Sequence, residues 1–371
     1  MADAMDKIPI NAKIILFFVN VFHLLFGATP TASKSGITYS RAFLFNYRYI
    51  EEGIYNNTHN DTICDKNKMQ DSLLPVILNG YIQVRYSINN GMDNSFDIRR
   101  ARLSLKGYIT KKLNYKLQTE FSGSKQKLLD AELNFDIHPF LQLTAGQFKI
   151  PFSYENLISS SNLGTIDRSQ IVEALTARGK DVIGNQSGRD IGLMINGIFN
   201  IITDFEYFIG AFNGSGINTI DMNKQKDLIG RIIVHPQNSF SLGSSFYLGR
   251  YTADDSLRLR FKRERIGLEL VYKNLPISLS AEYIWGKDNM FQTDGWYMQA
   301  GYFIIPKKFE LLTKYDIYNL NIEDYSSAFY TIAINLFFTE KSKWQINYQL
   351  RDEQESGNLK NFLITQIQYG F

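Results

Sequence analysis

Residues 112–121 read KLNYKLQTEF, a stretch in which apolar or Thr side chains alternate with polar or charged ones. Successive side chains of a β-strand point to opposite faces, so this alternation predicts a strand with one apolar and one polar face. The same period of two recurs in residues 80–89 (GYIQVRYSIN), 127–137 (KLLDAELNFDI) and 343–351 (KWQINYQLR). The chain is therefore predicted to be rich in two-faced strands.

Sixteen segments of this kind follow one another from residue 80 to the end of the chain. They are centred near residues 84, 103, 117, 132, 144, 194, 206, 231, 244, 267, 281, 300, 313, 332, 347 and 365. The 292 residues from Gly80 to Phe371 give about 18 residues for each segment with its connection. This spacing fits transmembrane β-strands of about 9–11 residues joined by turns and loops.

The connections between these segments fall into two alternating classes. Seven short turns lie near residues 110–112, 138–139, 199–200, 235–237, 274–276, 305–307 and 339–343. Eight mostly longer, polar connections lie near residues 89–95, 122–126, 150–188, 213–226, 250–257, 287–293, 319–326 and 352–358. A barrel with an even number of strands and both termini on the inner side requires this alternation. We therefore expect an all-β fold, a 16-stranded antiparallel transmembrane β-barrel formed by residues 80–371.

The composition of the 371-residue chain excludes several other classes. After residue 26 no apolar run approaches the roughly 20 residues of a membrane helix, and a net charge of +3 gives no sign of a nucleic-acid partner. The single cysteine, Cys64, excludes a disulfide framework. A soluble β-sandwich or propeller would also alternate, but it needs a second layer, which no helix or repeat supplies. A closed barrel with its apolar face in lipid satisfies every backbone group.

The start of the chain has the pattern of a secretory signal peptide. Lys7 and Lys13 precede an apolar run at residues 14–26, and small residues follow up to residue 32. Basic, apolar and small-residue parts in this order predict a signal peptide over residues 1–32. An anchoring helix is the alternative, but the run is too short to span a bilayer. Residues 33–79 have no clear pattern and are interpreted as an N-terminal periplasmic or lumenal segment.

Three motifs resemble the phosphate-selective porin O and P family. They are FDIRRARLSLKG at residues 96–107, LDAE at residues 129–132 and GQFKIPFSYE at residues 146–155. The resemblance implies a 16-stranded channel in the outer membrane of a Gram-negative bacterium, embedded in outer-membrane lipid and usually a homotrimer. It also implies passage of small hydrophilic solutes, with phosphate or other anions among them, and needs no cofactor.

The polar faces of the predicted strands give a candidate pore lining. Its residues are Arg85, Arg100, Arg102, Lys106, Lys116, Glu120, Asp130, Glu132, Asp136, Arg231, Arg263, Arg265 and Lys314. Arginine binds anions well because its charge is permanent and the N–H groups of its planar guanidinium match the spacing of phosphate oxygens. The arginines near residue 100 could equally pair with Asp130, Glu132 and Asp136 two strands away. Over the whole chain the predicted inner faces carry ten basic and ten acidic residues. This balance predicts a polar passage of weak selectivity.

The long connection at residues 151–188 follows the fifth strand. In 16-stranded porins the loop at that position folds inward and narrows the pore, so the resemblance implies a constriction loop here; an extracellular flap is the alternative. Its charged residues are Glu155, Asp167, Arg168, Glu173, Arg178, Lys180 and Asp181, with a net charge of −1. This departs from a strongly phosphate-selective member, in which cations should dominate the narrowest region.

Motifs of enzymes are missing from the sequence. Neither the Gly-x-Ser-x-Gly elbow, nor His-Glu-x-x-His, nor a Gly-rich phosphate loop occurs, so we expect no enzyme, no metal and no cofactor. Cys64 is interpreted as a stray thiol. Two functional hypotheses follow: a passive diffusion channel, or a sealed barrel that serves as a surface adhesin or assembly component.

Overall fold

The computed structural model describes residues 76–89, 94–200, 203–221, 225–254, 259–320, 325–353 and 359–371. The predicted signal peptide, Cys64 and nearly all of the segment at residues 33–79 lie outside these residues. The described strands are β1 Val76–Asn89, β2 Ser95–Tyr108, β3 Leu113–Glu120, β4 Lys127–His138, β5 Leu141–Lys149, β6 Arg189–Asn200, β7 Asp204–Phe212, β8 Asp227–Gln237, β9 Phe240–Asp254, β10 Leu259–Asn274, β11 Ile277–Asp288, β12 Phe291–Ile305, β13 Phe309–Leu320, β14 Tyr325–Phe337, β15 Lys343–Glu353 and β16 Lys360–Gly370.

These strands form one closed antiparallel barrel in which sequence neighbours pair throughout. Closure joins β1 to β16, with Tyr81 opposite Gly370. The Gly80 N–H donates to the Phe371 carbonyl at 3.2 Å, and the Phe371 N–H donates back to the Gly80 carbonyl at 3.0 Å. The predicted fold class and its sixteen strands are confirmed.

The first strand begins at Val76, four residues before the predicted start of the barrel at Gly80. Residues 76–79 pair only with residues 104–107 of β2, because the pairing with β16 ends at Tyr81. The early start is invisible in the pattern, since residues 76–78 read VIL and do not alternate. The boundary between the N-terminal segment and the barrel therefore moves to residue 76.

The connections at one end of the barrel are shorter than predicted. The barrel's two termini and seven connections share one end, the termini end, and eight connections lie at the opposite loop end. Six of those eight span only two to six residues, and only residues 150–188 and 213–226 are long. The reason is that the strand ladders continue through residues predicted as loops. Asp288 still pairs with Phe291, and Asn289 makes the tight turn between them with φ 57°.

Large apolar side chains cover the outer face of the barrel. Leu103, Leu117 and Leu133 are each exposed on neighbouring strands, whereas the alternate positions face inward. At the termini end the rings of Phe140, Phe199 and Tyr207 stack on one another outside the wall. An apolar belt with aromatic residues near its edge is the surface that a lipid bilayer solvates.

Two short helices lie between β5 and β6: α1, Tyr154–Leu157, and α2, Gln170–Leu175. In the described part of the chain no helix has the length and apolarity needed to cross a bilayer. One irregularity of the wall affects the lumen. In β2, Arg100 pairs with Gln83 but Ile98 pairs with Val84, so Arg99 is an extra residue in a β-bulge.

Candidate functional site: the lumen of the barrel

Residues 150–188, which we call the inner segment, fold into the lumen. They bond to Gln83 of β1, Arg263 of β10 and Lys343 of β15, and they pack against β6 and β7 on the remaining side. A segment that contacts the walls on all sides lies within the ring. The inner segment therefore determines how much of the lumen stays open.

Asn156 fastens the base of the inner segment. Its side-chain amide donates to the carbonyl groups of Phe152 at 3.1 Å and Gly188 at 3.4 Å, and its Oδ1 accepts from Arg178 Nε at 2.8 Å. Gly188 has φ 73°, and an added Cβ would lie 1.9 Å from Asn156 Oδ1. The two ends of the segment are thereby held together where it leaves and re-enters the wall.

Glu155 attaches the first half of the segment to β13. Its carboxylate contacts Lys314 Nζ at 2.6 Å and accepts from the Ser169 N–H at 2.7 Å, and both charged side chains are buried. Burial raises the pKa of the Glu155 carboxyl, but the attraction of Lys314 and the Ser169 N–H outweigh it and hold that pKa below its ordinary value. Glu155 is therefore an ionised anchor.

Two further carboxylates of the wall accept backbone N–H groups of the segment. Glu282 of β11 accepts from Tyr154 N at 3.1 Å and from Glu155 N at 2.6 Å. Asp316 of β13 accepts from Gln170 N at 2.9 Å, at the start of α2. Acidic groups near helix N-termini satisfy N–H groups that lack partners within the helix. These wall acids therefore position both helices.

The second half of the segment is held by Asp181. Its Oδ2 accepts from Arg263 Nη2 at 2.8 Å and from the Ala177 N–H at 2.8 Å. The Arg263 guanidinium also donates to Tyr247 Oη at 2.6 Å and is completely buried. This pair joins the segment to β10 as Glu155 joins it to β13.

The middle of the segment is bound through its own carbonyl groups. The Leu163 carbonyl accepts from Lys343 Nζ at 2.7 Å, and the Gly164 carbonyl accepts from Asn335 Nδ2 at 2.9 Å. On the other side of the ring closure, Gln83 Nε2 donates to the Ser160 carbonyl at 3.1 Å. Amide and ammonium donors of β1, β14 and β15 thus replace the water that would otherwise hydrate this turn.

The inner faces of β5–β9 contribute several apolar side chains to a buried cluster, which the alternation rule did not predict. Phe152 and Leu175 of the segment belong to one buried cluster with Met194, Phe208 and Phe212 of the wall. The predicted lining consisted of charged residues of some strands and included no apolar side chain. β6–β8 carry apolar residues on both faces, one set toward lipid and one toward the segment.

The wall formed by β1–β4 carries paired charges. Arg85 Nε donates to Asp97 Oδ1 at 3.1 Å, Arg99 Nη1 lies 2.6 Å from Asp167 Oδ1, and Arg102 Nε lies 2.8 Å from Glu120 Oε2. A second group contains Lys116 Nζ, 3.1 Å from Asp130 Oδ2, and Arg189 Nε, 2.5 Å from Asp130 Oδ1. Cations and anions alternate along this wall.

The partners of these arginines differ from the predicted ones. Asp130, Glu132 and Asp136 were the candidate partners two strands away, yet Arg102 pairs with Glu120. The register explains this, because Arg102 lies directly opposite Glu120 on the neighbouring strand. Directly opposed side chains on one face are closer than those separated by a strand. Arg100 contacts the same carboxylate more weakly, with Nε 3.7 Å from Glu120 Oε2.

The two sides of the lumen differ in solvent exposure. On β10–β15 Arg263, Arg265 and Asn335 are 0% exposed, and Glu282, Lys314 and Gln345 are at most 4% exposed. On β2–β4 the inward residues Arg102, Ser104, Lys116, Glu120 and Asp130 are also at most 8% exposed, but others are partly exposed; these are Arg100, Lys106, Gln118, Glu132, Asn134 and Asp136. Solvent therefore reaches the lumen along β2–β4, whereas the inner segment excludes it along β10–β15.

The remaining charged residues of the inner segment have local roles. Arg168 Nε donates to the Glu155 carbonyl at 3.0 Å, and Glu173 Oε2 accepts from the Gly179 N–H at 3.1 Å. Lys180 is exposed, with Nζ 5.8 Å from the centre of the Tyr318 ring. Asp167 keeps about a third of its side-chain surface exposed. Its pKa is lowered, since Arg99 and Arg85 outweigh the opposing effect of burial.

Two predicted lumen residues form buried pairs away from the open side. Arg231 Nε donates to Glu269 Oε2 at 3.1 Å, and Arg265 Nη2 lies 2.7 Å from Asp288 Oδ1. Both guanidinium groups are nearly completely buried. Among the described residues, no group of three or more His, Cys, Asp or Glu side chains could hold a metal ion.

Several inward charges were missed by the sequence reading. Arg99 was assigned to the outer face by strict alternation, but the bulge in β2 turns it toward Asp167. Asp97, opposite Arg85, was missed for the same reason. Arg189 lies at the boundary between the inner segment and β6, where no alternation had begun. A bulge of one residue can be recognised in the sequence only when the pairing register with the neighbouring strand is known.

The comparison with protein families assigns the chain. The profile described as phosphate-selective porin O and P matches residues 79–257 and 244–371, which together cover all of the barrel except its first three residues. The chain belongs to this family. It is a porin, a channel for passive diffusion of small hydrophilic solutes or ions. A comparison with curated proteins gave no match.

Solved structures of other porins share the fold of this porin. The anion-selective porin from Comamonas acidovorans is 15% identical, with a TM-score of 0.64 over 81% of this chain and 100% of its own. The outer membrane channel DcaP of Acinetobacter baumannii is 13% identical, with a TM-score of 0.58 over 80% and 97%. OmpT of Vibrio cholerae, in its trimer form, is 10% identical, with a TM-score of 0.56 over 81% and 100%. At these identities the likeness concerns the fold.

Proposed function

We propose that solutes cross this porin along the β1–β4 wall and that the passage prefers anions only weakly. The observation that carries this proposal is the unequal exposure of the lumen, because six inward polar side chains of β2–β4 are partly exposed, whereas the side chains of β10–β15 that hold the inner segment are buried. The inner segment acts as the constriction loop, because it occupies the remaining cross-section. The predicted lining residues Lys106, Glu132 and Asp136 border the proposed passage.

The charge pattern along this route supports a weak preference. Asp97, Asp167, Glu120 and Asp130 each contact a cation of the wall, so little net field remains. Arg100 has only a long contact to an acid, with Nε 3.7 Å from Glu120 Oε2, and its side chain is 28% exposed. Mixed charges give a polar, weakly selective passage, and one weakly paired guanidinium tilts it toward anions.

The cellular setting follows from the family and from the topology. We place the porin in the outer membrane of a Gram-negative bacterium as a homotrimer, with the loop end outside and the termini end in the periplasm. Residues 1–32 would be removed on export, and residues 33–75 would remain in the periplasm or enter the lumen. Short periplasmic turns with both termini at that end are the rule for bacterial barrels.

The test is a planar-bilayer recording of the purified trimer across a salt gradient. For the wild type we expect open channels and a small reversal potential of the anion-selective sign. Arg100→Gln should move this potential toward zero or cation preference. Lys111→Gln removes the same charge from an exposed turn at the termini end and should leave the potential unchanged.

Two results would contradict the proposal. A purified trimer without measurable conductance would favour the sealed barrel that serves as an adhesin or assembly component. Near-ideal anion selectivity that saturates with micromolar phosphate would show a dedicated phosphate filter instead of mixed charges. The chemistry of the wall selects a class of small hydrophilic solutes and no single compound.

A further inference from the structure

The outer face of the barrel carries a row of cations at the loop end of β8–β10. Arg250 of β9 lies directly opposite Lys262 of β10. Lys226, immediately before β8, continues the row, since Leu228 of β8 pairs with Leu248 of β9. Arg250 and Lys262 are both exposed. Three cations therefore lie side by side on adjacent strands.

This row faces away from the lumen. Leu248 and Ile266 are about half exposed and precede or follow the cations at even intervals along β9 and β10, so they share the outer face. Arg263 and Arg265, at the alternate positions of β10, are buried inside. The cations thus sit directly above the apolar belt formed by Leu228, Leu248 and Ile266, at the height where lipid head groups begin.

The charges of this row are poorly compensated by the protein. Like charges directly opposite each other in a sheet are destabilising. Within the described residues neither Arg250 nor Lys262 takes part in an ion pair, and Lys226 is paired with Asp221. Glu264, two residues from Lys262 on the same face, lies opposite Lys287. An anion from outside the protein would remove the repulsion between Arg250 and Lys262.

We propose that this row binds a phosphate group of the phosphorylated glycolipids in the outer leaflet. The proposal rests on the proposed orientation, in which the loop end lies outside. A phosphate between Arg250 and Lys262 would accept charge-assisted hydrogen bonds from both, and the acyl chains of the same lipid would cover Leu248 and Ile266 below. A second copy of this protein is a poor alternative occupant, because its matching face would bring further cations and the two rows would repel each other.

The experiment measures glycolipid retained by the trimer after extraction and extensive detergent washing. Native mass spectrometry and assays of lipid phosphate and hydroxylated fatty acids quantify it. The double variant Arg250→Gln/Lys262→Gln should retain several-fold less glycolipid than the wild type. The control Lys111→Gln/Lys308→Gln removes two exposed charges at the termini end and should retain the wild-type amount. Equal retention by all three proteins would overturn the proposal.

A second arm separates the lipid from a free anion. Delipidated trimer is titrated with micelles of the phosphorylated glycolipid, with the same lipid after phosphatase treatment, and with inorganic phosphate. Tight binding of the intact lipid alone supports the proposal, whereas equal binding of inorganic phosphate, or of the dephosphorylated lipid, contradicts it. Conductance of each variant is recorded in parallel, so that a failure of the channel assignment is distinguishable from a failure of lipid binding.

Discussion

The β1–β4 wall and the β10–β15 wall have similar inward residues but use them differently. On β10–β15, Lys314 and Arg263 are buried and each binds a carboxylate of the inner segment. On β1–β4, Arg85 and Arg100 keep about a quarter of their side-chain surface in solvent. Under the proposed function, an inward charge contributes to selectivity only where the inner segment leaves it accessible. Elsewhere the same charge fastens the segment.

Removing the inner segment should erase the contrast between the walls and has the largest expected effect. Replacing residues 151–187 by a short turn should raise single-channel conductance several-fold, because the lumen then opens on all sides. Closure entropy is no obstacle, since each doubling of loop length costs only about 0.6 kcal/mol. Larger sugars should also exclude less current. A trimer of the deletion variant that conducts like the parent would show that the segment does not limit flow.

The apolar side of the lumen should be the main source of the segment's stability. Phe152→Ala removes a completely buried ring and should lower the free energy of unfolding by about 3–5 kcal/mol. Phe246→Ala, on the lipid-exposed face of β9, is the matched control and should cost much less. Unfolding in urea, followed by the shift in gel mobility between folded and unfolded barrel, measures both. Equal losses would mean that the ring contributes no packing within the lumen.

The buried pair of Glu155 and Lys314 should make the channel acid-sensitive. The folded-state pKa of Glu155 lies below its unfolded value. Its stabilisation is therefore complete above the unfolded pKa, about 4.3, and is lost as the pH falls through the folded pKa. Conductance should stay constant from neutral pH to that region and become larger and noisier below it.

Substitution separates this anchor from general acid effects. Glu155→Gln should give the noisy, larger current already at neutral pH, because a buried Lys314 without its partner is unfavourable. Glu173→Gln, which alters an acid bonded within the segment, should behave like the wild type. If all three proteins respond to acid at the same pH, another group controls the transition.

The smallest expected effect concerns the β1–β4 wall, along which the proposed passage runs. Asp167→Asn should release Arg99 and Arg85 from a shared carboxylate and increase anion preference by a few millivolts of reversal potential, screened within about 8 Å at physiological salt. Asp288→Asn, on the β10–β15 wall beside Arg265, should leave the reversal potential unchanged. A larger shift of the reversal potential for Asp288→Asn than for Asp167→Asn would contradict the proposed route along the β1–β4 wall.

Alternation along the chain was sufficient to predict the number and order of the sixteen strands, because lipid outside and polar groups inside impose a period of two. It could not predict which inward charges are accessible. Arg263 and Arg265 look like Arg100 in sequence, but the inner segment covers them. The apolar residues on the inner faces of β6–β8 were likewise hidden, since a strand between lipid and an apolar part of the segment does not alternate strictly between apolar and polar residues.

The bulge at Arg99 has a consequence for length variation in the gene. Deleting one codon within a regular strand reverses the facing of every residue up to the next turn. Deleting the codon for Arg99 would instead leave Ile98 beside Arg100, each still opposite its present partner, Val84 or Gln83. Only the guanidinium bound to Asp167 would be lost. This strand can therefore gain or lose that one residue without inversion, and relatives that differ here by a single codon should keep the same lumen wall.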